Sequence, residues 1–365
     1  MLRVQLSVLS CQVRSGLGAV MRPTLGEWIM GIRSGLFVLG CVGLFGLGAC
    51  AQEQSSAAQA VLLRDVRLID GTGAKPREHV SLLIRDGRIE KIGKEGMPAP
   101  KGVEVRELVG KTVMPGLISA HSHLGLLVDD AESSATGYTR ENVSAQLKQF
   151  EGYGVTTVMS LGLNRDLVYE LRDEQRQGKL GGATILTAGR GIGVPGGAPP
   201  LASAPDQIYR PATVEEARKD VDETAANHAD IMKIWVDKLH GTAPEMTPEI
   251  YKAVIDEAHQ RQLRVAAHVY ALSDAKQLVD DGVDVLAHSV RDQVVDDAFI
   301  RAMKQRKVWY VPTFTVDESF FVYAERPAFM QTRFFSAGGE AGAAGEVQCA
   351  GVCGEDQSGP TDGAA

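Results

Sequence analysis

The sequence predicts an α/β fold: a (β/α) TIM-type barrel of about seven strands preceded by a small β-sandwich-like domain. Three observations carry that expectation. From Val113 onward, strand-like runs at 113–120, 155–160, 183–188, 230–236, 264–268, 283–288 and 308–314 recur in series. Helix-like segments such as 140–152, 213–228, 247–262 and 294–305 lie between them, the alternation that builds a parallel sheet closed into a barrel. Before Val113 the pattern is strand, turn and strand, without helices.

A chain of 365 residues has room for one large catalytic domain and a smaller one. Its net charge of -8 is spread along the chain rather than blocked, and without a basic patch nucleic acid is not an expected partner. Of the five cysteines, Cys11, Cys41 and Cys50 fall at the start of the chain and Cys349 and Cys353 near its end. The folded middle therefore has no disulfide framework.

Residues 1–50 read as a leader. Arg33 precedes an apolar stretch from Leu36 to Leu47, too short to span a bilayer comfortably, which favours a signal peptide over a retained helix. Leu47-Gly-Ala-Cys50 resembles a bacterial lipobox, in which the Cys is lipidated after cleavage. Ala49-Cys50-Ala51 also resembles a cleavage site for plain secretion. A signal starting at Met30 would have ordinary length, with residues 1–29 upstream of the true start. The expectation is an exported bacterial protein, periplasmic or held to the membrane only through a lipid on Cys50.

Residues 51–59 form a polar linker, and 60–112 an N-terminal β domain. Val61–Asp70 ends in Gly71-Thr-Gly73. Val80–Arg85 and Arg88–Ile92 flank Asp86-Gly87, a strong hairpin signal. Val103–Leu108 supplies a further strand. The barrel is assigned to 113–335. Within it, Thr213-Val-Glu-Glu216 and Thr247-Pro-Glu249 place Thr at the cap and acids in the first turn of two helices. Residues 336–365 abandon the pattern: half are Gly or Ala, and an aberrant, disordered tail is expected there, from a frameshift or premature end after Phe335.

The candidate site is organised around Val113–Gly125. An apolar run with Leu117 and Ile118 leads to His121 and His123, and strand alternation sends both imidazoles to the same side. Two neutral imidazoles at the end of a buried strand can grip one divalent ion. Lys233 sits in the apolar run Ile231–Val236, where a charge survives only if removed or paired. Either its amine pairs with an acid such as Asp237, or burial keeps it neutral and able to form a carbamate with CO2. His268 closes Arg264–His268 and His288 closes Val283–His288, each at the strand end where barrel active sites sit. His79, His228 and His259 fall elsewhere in the pattern and are expected in solvent. His240 follows the fourth strand without ligand spacing.

Pro115–His123, Met232–Asp237, Ala267-His268 and Ala287-His288-Ser289 together resemble the amidohydrolase superfamily. The nearest branch is the imidazolonepropionase-like and Xaa-Pro dipeptidase-like hydrolases, over about residues 60–335. The resemblance implies two divalent metal ions, zinc by the nature of the donors. His121 and His123 would hold one and His268 and His288 the other, with a carboxylated Lys233 bridging them. Lys233 and His288 take catalytic as well as ligand roles on this reading. The implied reaction is hydrolysis of C–N bonds by a metal-activated hydroxide, in dipeptides or acylated amino acids. Ring opening of a cyclic, imidazolone-like amide is the second enzyme reading, and Lys233 speaks against it. The family also places an Asp at the end of strand eight, and neither Asp356 nor Asp362 matches it. The third reading is therefore a metal-binding remnant with impaired catalysis. The Gly- and Pro-rich loop 189–211 is expected to shape a pocket for a small-molecule or dipeptide substrate.

Overall fold

The computed structural model describes residues 6–8, 60–128, 131–132, 136–200, 205–325 and 328–332. The leader (apart from Leu6–Val8), the 51–59 linker and the 336–365 tail lie outside the described residues. The chain divides into two compact units, one up to Pro115 and one from Gly116.

In the first unit, β1 (Leu6–Val8), β2 (Ala60–Leu68), β3 (Arg77–Arg85), β4 (Arg88–Lys94) and β5 (Glu104–Pro115) form one sheet in the order β1-β5-β2-β3-β4. Asp86 and Gly87 both take positive φ, 50° and 71°, as a tight two-residue hairpin between β3 and β4 requires. Leu63, Val66, Leu68, Val80, Leu82 and Val113 form its apolar core. A two-layer sandwich was expected here. The described strands instead make a single mixed sheet, because β5 returns parallel to β2 and takes its second edge, leaving β2 paired on both sides.

The strand expected at 113–120 is divided. Val113 pairs with Leu68 inside the first sheet, and a new strand, β6 (Leu117–Ser122), begins after Gly116. Pro115 has no N–H to offer a ladder, and Gly116 lies so close against Thr156 that no side chain would fit.

In the second unit β6 is followed by a two-residue ladder of β7 (Leu127–Val128) with β8 (Ala131–Glu132), then by α1 (Arg140–Gly152), β9 (Val155–Ser160), α2 (Leu167–Arg176), β10 (Thr184–Thr187), α3 (Val214–Ala226) and β11 (Met232–Trp235). After these come α4 (Pro248–Gln260), β12 (Val265–His268), α5 (Leu272–Asp280), β13 (Val285–Leu286), α6 (Asp297–Arg306), β14 (Trp309–Tyr310) and α7 (Phe314–Val322). Apart from the small β7–β8 ladder, every pairing is parallel, in two sheets ordered β10-β9-β6 and β11-β12-β13-β14. Ile192 stands between the sheets: its N–H donates to Lys233 O at 2.8 Å and its carbonyl accepts from Trp235 N at 3.1 Å.

Local chemistry explains where the helices start. Thr213 accepts from Glu216 N while the Glu216 carboxylate reaches back to Thr213 N, a complete capping box. Asp296 caps α6 by accepting from Phe299 N at 2.8 Å, so the helix expected from 294 begins at Asp297. Thr247 is a correction: its side chain makes no cap bond, and Pro248 in the first turn supplies the preset φ instead. The main core lies where α3 to α6 pack on β11 to β13, with Met232, Ile234, Val254, Val265, Leu278 and Leu286 all fully excluded from solvent. Each such side chain contributes about 1.5–3 kcal/mol on burial.

Among the described residues β6 and β14 are sheet edges, and no eighth parallel strand follows β14. The strand leading to His121 was expected to be buried. Leu117 is 49% and Ile118 67% exposed, because an edge strand with one neighbour has no second strand beside it. Trp309 on β14 is likewise exposed. No helix among the described residues is long and apolar enough to cross a membrane.

Candidate metal centre

His121 lies near the end of β6 and His123 just beyond it. Their Nε2 atoms approach to 3.2 Å. Zinc binds imidazole nitrogen at about 2.0–2.1 Å, and a tetrahedral angle then puts two donors about 3.4 Å apart, so this separation suits a shared ion. His123 Nδ1 lies 3.1 Å from the Gly162 carbonyl. A carbonyl only accepts, so Nδ1 carries the proton and Nε2 keeps its lone pair.

His268 ends β12 and His288 follows β13. Parallel register brings both to the same end of the second sheet, where they meet the β6 histidines. The His288 ring centroid lies 4.5 Å from that of His121 and 4.5 Å from that of His268. His288 Nδ1 bonds Thr313 Oγ1 at 2.8 Å. His268 Nε2 bonds Asp237 Oδ2 at 2.9 Å.

Lys233 lies within β11 and is fully buried. Its Nζ has no hydrogen-bond partner and lies 4.9 Å from the centre of the Trp235 ring. His121 Nδ1 is a second buried polar atom without a partner. The ion pair between Lys233 and Asp237, one of the two sequence-based options, does not form. Trp235 is seated by two glycines of positive φ: a Cβ at Gly162 would fall 2.5 Å, and one at Gly191 2.6 Å, from the indole.

The electrostatics follow from this packing. Burial pushes the Lys233 amine down to about 7. Burial, helped by the Lys233 charge, lowers His123 to about 3 against the opposing bond to Gly162. The same two causes hold His121 and His288 far below the ordinary imidazole value. Burial also lowers His268, outweighing its bond to Asp237. Burial tends to raise the Asp237 carboxyl, but the bonds from His268 and Leu239 hold it below the usual range.

Four imidazoles are thus neutral at pH 7 and close together, with an amine beside them that is partly neutral. A buried amine without a partner ordinarily costs about 1–3 kcal/mol, and the neighbouring Nε2 atoms of His121 and His123 are placed as donors for a divalent cation. The donor set fits such an ion. The remaining histidines are elsewhere: His79, His228, His240 and His259 are all exposed. His79 bonds Asp65 at 2.6 Å, with Glu95 nearby, and His259 bonds Asp284 at 2.8 Å. Sequence reasoning missed Trp235 and Thr313 as neighbours of the site and did not foresee His268 as the partner of Asp237. The alternation of Lys233, Trp235 and Asp237 at two-residue steps was the available signal.

Fold and site together define an α/β protein that gathers four imidazoles and a buried lysine where its parallel strands end. The chain belongs to the amidohydrolase family, whose pattern matches residues 112–323. An uncharacterized protein of Mycobacterium tuberculosis is 29% identical over 268 residues, covering 70% of this chain. This chain spans 64% of that relative's length. Among solved structures, a Xaa-Pro dipeptidase with bound methionine superposes with a TM-score of 0.61 at 24% identity, over 78% of this chain and 74% of that one. A putative prolidase from Bifidobacterium longum gives 0.57 at 26% identity, over 68% and 57%.

Proposed function

We propose that this chain is a metal-dependent hydrolase of C–N bonds acting on dipeptides or N-acylated amino acids, with two divalent ions, zinc by donor type. The observation that carries the reading is the fully buried, unpartnered Lys233 amine beside four neutral imidazoles. His121 and His123 would hold one ion, and His268 and His288 the other. The neutral Lys233 amine could add to CO2, forming an N–C bond as one C=O pair moves onto oxygen and one proton is released, and the resulting carbamate would offer oxygen donors to the ions. When bound, the ions supply Lewis-acid polarisation of the scissile carbonyl and activation of water.

The chain's own residues hold the donors in place. Gly162 and Thr313 orient His123 and His288 through their Nδ1 atoms, which would leave Nε2 for an ion. Trp235 walls the Lys233 amine from solvent and so keeps it reactive. The substrate class rests on the kinship with the B. longum prolidase. The two parallel sheets are read as arcs of one barrel, supported by the bridge through Ile192.

The test is metal content and hydrolysis across a dipeptide panel for the wild type and the His121→Ala/His123→Ala double variant. Wild type is expected to hold up to two ions and the double variant to lose one. Unchanged metal content in the double variant refutes the assignment.

A further inference from the structure

Asp237 is the acid that reaches into this centre without belonging to its donor set. Strand alternation from β11 puts Lys233, Trp235 and Asp237 on one side, and Asp237 is only 7% exposed. Both of its oxygens are used. Oδ1 accepts from Leu239 N at 2.8 Å and Oδ2 from His268 Nε2 at 2.9 Å. The backbone ties the same two elements together, Val236 N donating to His268 O at 3.1 Å. An ionised carboxylate has no proton to give, so His268 Nε2 must carry one and Nδ1 must keep its lone pair.

We infer that Asp237 is a positioning residue of the metal centre, locking His268 in the Nε2–H tautomer so that Nδ1 is the ligand atom. The inference rests on the metal reading above and adds to it the choice of nitrogen and the group that makes the choice. Partners that orient a ligating histidine from behind typically change metal affinity by about 10–100-fold when removed.

The geometry makes the substitution Asp237→Asn specific. Leu239 N–H still needs an acceptor, so the amide oxygen stays on it and the NH2 turns toward His268. An NH2 can only donate, which forces the His268 proton onto Nδ1 and blocks the ligand atom. Asp237→Ala leaves both tautomers open. The shape-preserving Asn is therefore expected to be more damaging than Ala, an order that loss of structural support alone would reverse.

The experiment uses the purified chain with zinc as probe. Nitrogen-15 spectra of the histidines in metal-free protein read the tautomer, and competition with a chromophoric chelator reads zinc affinity. Wild type is expected to show His268 protonated at Nε2. Asp237→Asn is expected to show Nδ1–H and at least tenfold weaker zinc at one site, with Asp237→Ala between the two. Wild type with His268 protonated at Nδ1, or Asn binding zinc as tightly as wild type, overturns the inference while leaving the metal reading intact. Wild type that binds no zinc overturns the metal reading itself and the inference with it.

Discussion

Replacing Lys233 by Met in metal-free protein is expected to stabilise it, and most strongly at low pH. Burial lowers the Lys233 amine from its ordinary 10.5 to about 7. At about 1.36 kcal/mol per pH unit, the gap amounts to about 5 kcal/mol against the charged form. The group is fully buried, so solvent screening does not erode that figure. Met has nearly the same length and fills the same space. What it loses is the contact of the ammonium with the Trp235 ring at 4.9 Å, worth about 2 kcal/mol when desolvated. The net gain is about 3 kcal/mol, a sizeable part of a stability of about 5–15 kcal/mol. The sign with pH follows from proton binding. Between about 7 and 10.5 the unfolded lysine holds a proton that the folded one does not, so wild-type stability rises with pH across that window. Below it both states are protonated and the full penalty stands. Urea denaturation of chelator-treated wild type and Lys233→Met at pH 6, 8 and 10 should show the variant's advantage shrinking steadily. A difference that does not change with pH, or a variant less stable at pH 6, refutes the reasoning.

Acid should unfold the metal-free protein early. The imidazoles of His121, His123, His268 and His288 stay neutral in the fold yet protonate near 6.5 when unfolded, so stability is lost as pH falls below 6.5, in His123's case toward about 3; a flat denaturation profile from pH 7 to 4 contradicts this. Gly162→Ala forces a methyl onto the Trp235 ring at a φ of 92° and should cost about 1–3 kcal/mol, read as a lower melting temperature; an unchanged melt would show that the indole is free to move. On the lipobox reading of Leu47–Cys50, Cys50→Ser should move the protein from the membrane to the soluble fraction, since several acyl chains anchor firmly and none anchors at all; wild type recovered wholly soluble from the periplasm favours plain secretion.

Much was legible before any coordinates, for local reasons. Seven strands and the helices between them follow from period-two and helical apolar patterns, and the Thr213 capping box and the Asp86-Gly87 turn are written in adjacent residues. The convergence of His121, His123, Lys233, His268 and His288 was legible too, because parallel strands bring their carboxyl ends together whatever the intervening helices contain. Partner choice was not. Lys233 could pair with Asp237 by sequence, four residues on. Only the packing of β12 against β11 puts His268 against that carboxylate and leaves the amine alone. Exposure of Ile118 likewise depends on whether a strand lies beside β6, and the single mixed sheet depends on which edge β5 takes. Periodicity states which way a side chain points. What it meets there is set by chain segments tens of residues away, and that the tertiary structure alone decides.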